Sequence, residues 1–162
     1  FKNQTGIRKY RRKSGNLEKR NSVSWNMKAK TTKYSREILA SFPEQVMVVH
    51  MKAEGQESLS FSCHFERSHN RTDEVWANGT KAGFFVDGGA GISFFAGIAV
   101  DAKEGEVYSI GEHILVDGAK EVTLYIDIET SFREVNFRET CIKGLKKHKK
   151  GNGKTMSGRA YP

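Results

Sequence analysis

Few residues in this chain have the types and spacing that chemistry needs. Gly-Asn-Gly-Lys-Thr at 151–155 ends like a phosphate-binding loop. Such a loop needs a glycine five positions before the one that precedes the lysine. With Gly153 in that place, position 148 should be glycine, and it is His148. No strand pattern feeds the segment. Gly88-Gly89-Ala90-Gly91 fails the dinucleotide fingerprint in the same way: Phe94 stands where the third glycine belongs, and a strand pattern follows instead of a helix. No cofactor is expected from either stretch.

The five histidines, His50, His64, His69, His113 and His148, are scattered. His64 and Glu66 share the outer face of a strand pattern and could approach an ion, but two ligands do not define a metal site. Glycoside hydrolysis needs two carboxyl groups facing each other across a cleft. Asp73, Glu74, Asp87 and Asp101 fall near loops, and no spacing pairs any two of them. The two cysteines, Cys63 and Cys141, make neither a disulfide framework nor a zinc set. Cys63 lies on an apolar strand face and reads as a small core residue. Asn3, Asn70 and Asn78 open Asn-x-Thr patterns, which matter only in a secreted eukaryotic protein. The residues therefore define no catalytic, cofactor-binding or metal site.

The elements that would position such residues are short strands. From Tyr34 to Met51 two apolar runs, Ile38-Leu39 and Val46 to Val49, flank a break that carries Pro43. Proline lacks an amide donor and fixes φ, so the stretch reads as strand, turn, strand. A strand over 45–53, a turn at Gly55 and a strand over 58–66 fit a hairpin. Leu59, Phe61, Cys63 and Phe65 fall on one face of the last, opposite Ser60, Ser62, His64 and Glu66. Asn78-Gly79 separates strand candidates at Val75 to Ala77 and Phe84 to Val86.

Phe94, Ala96, Ile98 and Val100 share a face whose reverse, Phe95, Gly97, Ala99 and Asp101, is unusually apolar, as in a strand covered on both sides. Strands over 106–110 and 112–117 meet around Gly111. Residues 121–129 then place Val122, Leu124, Ile126 and Ile128 inward and Thr123, Tyr125, Asp127 and Glu129 outward. Strands about ten residues apart with turn signals between them argue an all-β fold, an antiparallel β-sandwich. Phe137, Cys141 and Leu145 recur at helical spacing and predict a short C-terminal helix, weakened by Gly144 and the lysines from 146 to 150.

Length and charge set the bounds. The 162 residues suit one domain with a sheet-based core. No apolar run is long enough for a transmembrane helix, so no membrane is expected as a partner. The chain opens on Phe1 with no visible signal peptide and reads as a piece of a longer protein. Its net charge of +8 is unevenly spread. Residues 1–33 carry eleven Lys/Arg and one acid, residues 34–142 carry nine and eighteen, and residues 143–162 carry seven and none. The patterned part is acidic and the ends are irregular and basic. Arg8-Lys9-Tyr10-Arg11-Arg12-Lys13 could bind phosphate with a tyrosine for stacking. No groove-reading motif accompanies the charge, so a solvated segment is the better reading and nucleic acid is not the expected partner. Val23 and Trp25, alternating with Ser22, Ser24 and Asn26, suggest one short strand.

Tyr34-Ser-Arg-Glu-Ile-Leu-Ala-Ser-Phe-Pro-Glu-Gln-Val46 resembles the N-terminal domain of glycoside hydrolase family 95, the α-L-fucosidases. Ser58-Leu59-Ser60-Phe61, Gly91-Ile92-Ser93-Phe94, Val116-Asp117-Gly118-Ala119, Val122-Thr123-Leu124-Tyr125 and Thr130-Ser131-Phe132 match the same domain in order over residues 34–133. Tyr10-Arg11-Arg12 and Leu17-Glu18-Lys19 resemble its opening segments with altered spacing. The resemblance implies partial first strands in 1–33, the sandwich in 34–133, and the start of a helical linker followed by a disordered basic tail in 134–162. It also implies a downstream (α/α)6 barrel that carries the catalytic carboxylates for inverting hydrolysis of a fucosylated glycan. None of the barrel's residues is in this chain, which is expected to be inactive alone. The match lapses after Cys141, where a +1 reading of Lys149 to Pro162 can spell a linker-like sequence, as a frameshift would leave it. A stand-alone module binding carbohydrate on a sheet face, or nucleic acid through its basic ends, is the alternative.

Overall fold

The computed structural model describes residues 22–29, 31–66 and 73–150. The chain forms β1 (Ser22–Ala29), β2 (Thr32–Ser41), β3 (Val46–Glu54), β4 (Leu59–Cys63), β5 (Glu74–Asn78), β6 (Lys81–Val86), β7 (Phe94–Lys103), β8 (Glu106–Ile110), β9 (His113–Ala119), β10 (Glu121–Thr130) and α1 (Phe137–Lys150). Seven strands in the order β1-β2-β3-β10-β7-β6-β5 make one sheet, and β4-β9-β8 make a second. Neighbouring strands are antiparallel throughout. The fold is the expected all-β sandwich with a short C-terminal helix. The basic segments 1–21 and 151–162, including the arm at 8–13, the Gly-Asn-Gly-Lys-Thr stretch and most of the shifted-frame segment, lie outside the described residues.

Period-2 alternation builds the core between the sheets. Met51, Ile98, Val100, Val122 and Leu124 of the large sheet meet Ile114, Val116 and Ala119 of β9, with Leu59, Phe61 and Cys63 of β4 packed alongside. The other face of the large sheet carries α1. Its Cys141 and Leu145 pack on Val46, Val48, Phe95, Ala99 and Tyr125. β7 is thus covered on both faces, as its two apolar faces predict. The helix extends through Gly144 and the lysine run. Glu139 in its first turn and lysines in its last suit the helix dipole.

Three details differ from the expectations. The strand predicted over 58–66 ends at Cys63, although Phe65 still packs against the core. Gly55 does not close a hairpin. β3 and β4 lie in different sheets, and β4 pairs with β9. Alternation says which face a strand buries and not which strand it pairs with. Gly55 carries the chain across at φ 144°, where a Cβ would come within 2.6 Å of the Thr31 carbonyl oxygen. Lys120 holds this crossing, its Nζ donating to the carbonyls of Gly55, Gln56 and Glu57 at 2.9, 3.1 and 2.8 Å.

The third difference concerns β10. Tyr125 and Asp127, expected outward, are buried, whereas Ile128, expected inward, is 59% exposed. The helix covers the face that alternation assigns to solvent. The core shared with the three-stranded sheet takes in Leu124 and Ile126 of β10 and stops short of Ile128.

Candidate functional site

Among the described histidines one pair comes together. His64 and His113 approach with ring centroids 4.3 Å apart, and Glu66 lies 3.9 Å from His64 Nε2. Pairing of β4 with β9 makes this contact, which sequence spacing could not show. His50 Nδ1 lies 3.1 Å from Thr123 Oγ1, and His148 stacks on Tyr125. His69 lies outside the described residues. Among the described residues no group of three ligating side chains could hold a metal ion.

The loop carboxylates are partly brought together. Asp73 precedes β5, and its Oδ2 accepts the Asp87 amide at 2.5 Å. Asp87 Oδ1 accepts from the Gly89 amide at 2.9 Å and from Ser93 Oγ at 3.1 Å. The Gly88 amide donates to Ser93 Oγ at 3.0 Å, and the Ser93 amide donates to Ser131 Oγ at 3.0 Å. The two aspartates therefore stitch one surface loop and do not face each other across a cleft. The Gly88-Gly89-Ala90-Gly91 turn is part of that stitch: a Cβ on Gly88 would meet the Ile92 backbone at 2.4 Å. Glu74 pairs with Arg138 of α1, and Asp101 sits opposite Thr123 in the sheet. The Asp-Gly-Gly turn was legible in sequence. The partners Ser93 and Ser131 were not, because only the β7–β10 register sets them side by side.

The seam beneath α1 holds the polar groups that burial perturbs most. Asp127 is buried with Oδ1 lacking a hydrogen-bond partner. Burial first, then the charge of Glu129, pushes its pKa from 3.8 up to about 6. The Tyr125 hydroxyl is buried and likewise without a geometrically sound partner, and burial pushes it up to about 12. Thr123, which would lower that value, has its hydroxyl beside His50. Cys141 is fully buried, its Sγ 3.5 Å from the Asp127 carbonyl, and burial drives its thiol far above the ordinary value. Burial also holds the His148 imidazole below its ordinary value. The helix covers these groups: a Cβ on its Gly144 would stand 2.8 Å from Asp127 Oδ2.

Asn78, in the β5–β6 turn, is exposed, but the Thr80 hydroxyl of its acceptor pattern is bonded to Lys149 Nζ at 2.9 Å. Asn3 and Asn70 lie outside the described residues. No helix among the described residues is long and apolar enough to cross a membrane.

Comparison with known proteins identifies the kind of domain this sandwich is. Residues 1–135 match the family described as glycosyl hydrolase family 65, N-terminal domain. The chain belongs to this family. This family 65 N-terminal domain shares its fold with a solved structure, the "Putative kojibiose phosphorylase from human microbiome", at a TM-score of 0.54 and 11% identity. The match covers 80% of this chain and 21% of that one, so the domain spans about one fifth of its structural relative. No curated protein matches the chain. The family shown is named for family 65 and not for family 95. What stands is the N-terminal β-sandwich of a glycoside hydrolase. The fucosidase specificity is carried by neither comparison.

Proposed function

We propose that this family 65 N-terminal domain is the non-catalytic sandwich of a longer α-L-fucosidase-like hydrolase, seated on an (α/α)6 catalytic barrel whose substrate is a fucosylated glycan. The carboxylates support the non-catalytic role. Asp73 and Asp87 are tied to one loop by the Asp87 amide, whereas an inverting enzyme holds its two carboxyl groups roughly 6.5–9.5 Å apart across the scissile bond. The fucosidase reading rests on the ordered markers from Tyr34-Ser-Arg-Glu to Thr130-Ser131-Phe132, which occupy parts of β2, β3, β4, β7, β9 and β10 and loops adjoining them. A second reading, a disaccharide phosphorylase, is favoured by the name of the structural relative.

The test is to read the coding sequence beyond Pro162, in both this frame and the shifted one, and to express the polypeptide with its downstream domain. The expected result is release of fucose with inverted anomeric configuration by that polypeptide and by no preparation of residues 1–162 alone. Hydrolysis by residues 1–162 overturns the non-catalytic role. Phosphate-dependent cleavage of kojibiose without fucosidase activity replaces the fucosidase reading with the phosphorylase one. Salt-sensitive nucleic-acid binding lost with residues 1–33 and 143–162 would support the stand-alone module instead.

A further inference from the structure

One end of the sandwich is apolar without being loose. Register places the β2–β3 turn, the loop before β7 and the loop after β10 together. Thr130 pairs with Phe94, Val86 also pairs with Phe94, and Ser41 pairs with Val46. Six of the nine large apolar side chains exposed among the described residues lie at this end: Phe42, Met47, Ile92, Ile128, Phe132 and Val135. Phe132 is 78% exposed and Val135 87%. Such clustering marks an interaction surface, since single apolar side chains are ordinarily scattered. Loops 87–93 and 131–135 are held by the Asp73–Asp87–Ser93–Ser131 hydrogen bonds and by the Ser131 amide donating to the Ser93 carbonyl at 2.9 Å, and the 42–45 turn is closed by the Gln45 amide donating to the Phe42 carbonyl at 3.2 Å. Tyr108 and Ile110, on β8 of the other sheet, are exposed apart from this end and serve as an internal control.

We propose that this end, formed by loops 42–45, 87–93 and 131–135, is the face on which the catalytic domain of the same polypeptide seats. The inference rests on the reading of the chain as the N-terminal domain of a longer enzyme. The occupant follows from proportion: about four fifths of the structural relative's length lies outside the matched part, so a larger domain of the same chain adjoins this one, and a clustered apolar surface is where a neighbour gains contact. The scaffold is preorganised, so docking costs little loop ordering. Ile128 and Met47 extend the contact from the loops onto the uncovered margin of the large sheet.

In the polypeptide that carries both domains, Ile92→Cys, Phe132→Cys and Ile110→Cys are each labelled with a thiol reagent and followed by peptide mapping. The first two should label at least about tenfold more slowly than the third. Equal rates overturn the proposal. Protection that grows with protein concentration also overturns it, because it indicates a second copy of the chain on this face. As an independent measure, Phe132→Glu should speed proteolytic release of the sandwich about tenfold while Ile110→Glu leaves it unchanged. Identical release overturns the proposal. Neither readout uses a sugar, so a protected end in an enzyme of other specificity removes the fucosidase reading and keeps the interface.

Discussion

Gly97 of β7 lies directly under Leu145 of α1: a Cβ on Gly97 would stand 2.6 Å from Leu145 Cδ1 and 3.1 Å from Cys141 Sγ. The helix rests on bare backbone there. Leu145 is only 3% exposed, and a gap beside it, lined by Trp76, Gly97, Ile98 and Ile142, holds about 20 Å³, so its Cδ1 can yield only in part. Gly97→Ala should therefore cost about 1–3 kcal/mol through overpacking. Thermal unfolding would measure it, and adding Leu145→Ala should lower stability less than it does with Gly97 intact. If the two substitutions are additive, the contact is not as described.

Asp127 should make the protein less stable as pH rises. Its carboxyl titrates at about 6 in the folded protein, against 3.8 ordinarily. The folded state thus holds a proton that the unfolded chain has released, so stability falls as pH climbs from 3.8 to 6 and the full penalty applies above that range. At about 1.4 kcal/mol per pKa unit, the penalty is of order 3 kcal/mol. Asp127→Asn should be more stable than the parent at pH 8, with the gap closing towards pH 4. Denaturant titrations at the two pH values decide this. A gap of the same size at both would show that the charge of Asp127 is not the cause.

Lys120 ties the crossing between the two sheets through three carbonyls. Lys120→Met keeps most of the stem and removes all three donors. The carbonyls are near solvent and can rebond to water, so the expected cost is about 1 kcal/mol. Hydrogen exchange of the amides from 55 to 58 should rise more than that of β10. Unchanged exchange in the crossing would mean that the ammonium is not what orders it.

The cysteines should differ in reactivity. Cys141 is sealed under α1, while Cys63 is half-buried on the opposite side of the large sheet, and burial raises both thiols above their ordinary value. The thiolate is the reactive form. Cys63 should label slowly in the native protein and Cys141 only on unfolding, with no disulfide forming between them. Fast native labelling of Cys141 would show that the helix opens readily.

Strand existence was legible wherever one face is buried. Leu59, Phe61 and Cys63 alternate with serines, and the β7 residues show two apolar faces because two layers cover them. The Asn78-Gly79 and Gly111 turns followed from glycine's access to positive φ, and both adopt it, at 58° and 57°. Partnership was not legible. The Gly55 turn looks like any hairpin turn in sequence, and β3 and β4 part company there because β10 occupies the place beside β3. The Asp73–Asp87–Ser93–Ser131 loop network was hidden for the same reason, since its members join through strand register and not through spacing.

By itself the sequence determined the class of the fold and the short helix at its end. Those depend on local periodicity and on which residue types are present. Tertiary structure alone decided that α1 lies back on the large sheet, burying Tyr125 and Asp127 on a face whose polar residues look solvated. It also decided that Ile92, Ile128 and Phe132 gather at one exposed end. Both outcomes depend on which layers meet, and a face becomes interior or surface only when another element covers it or leaves it bare.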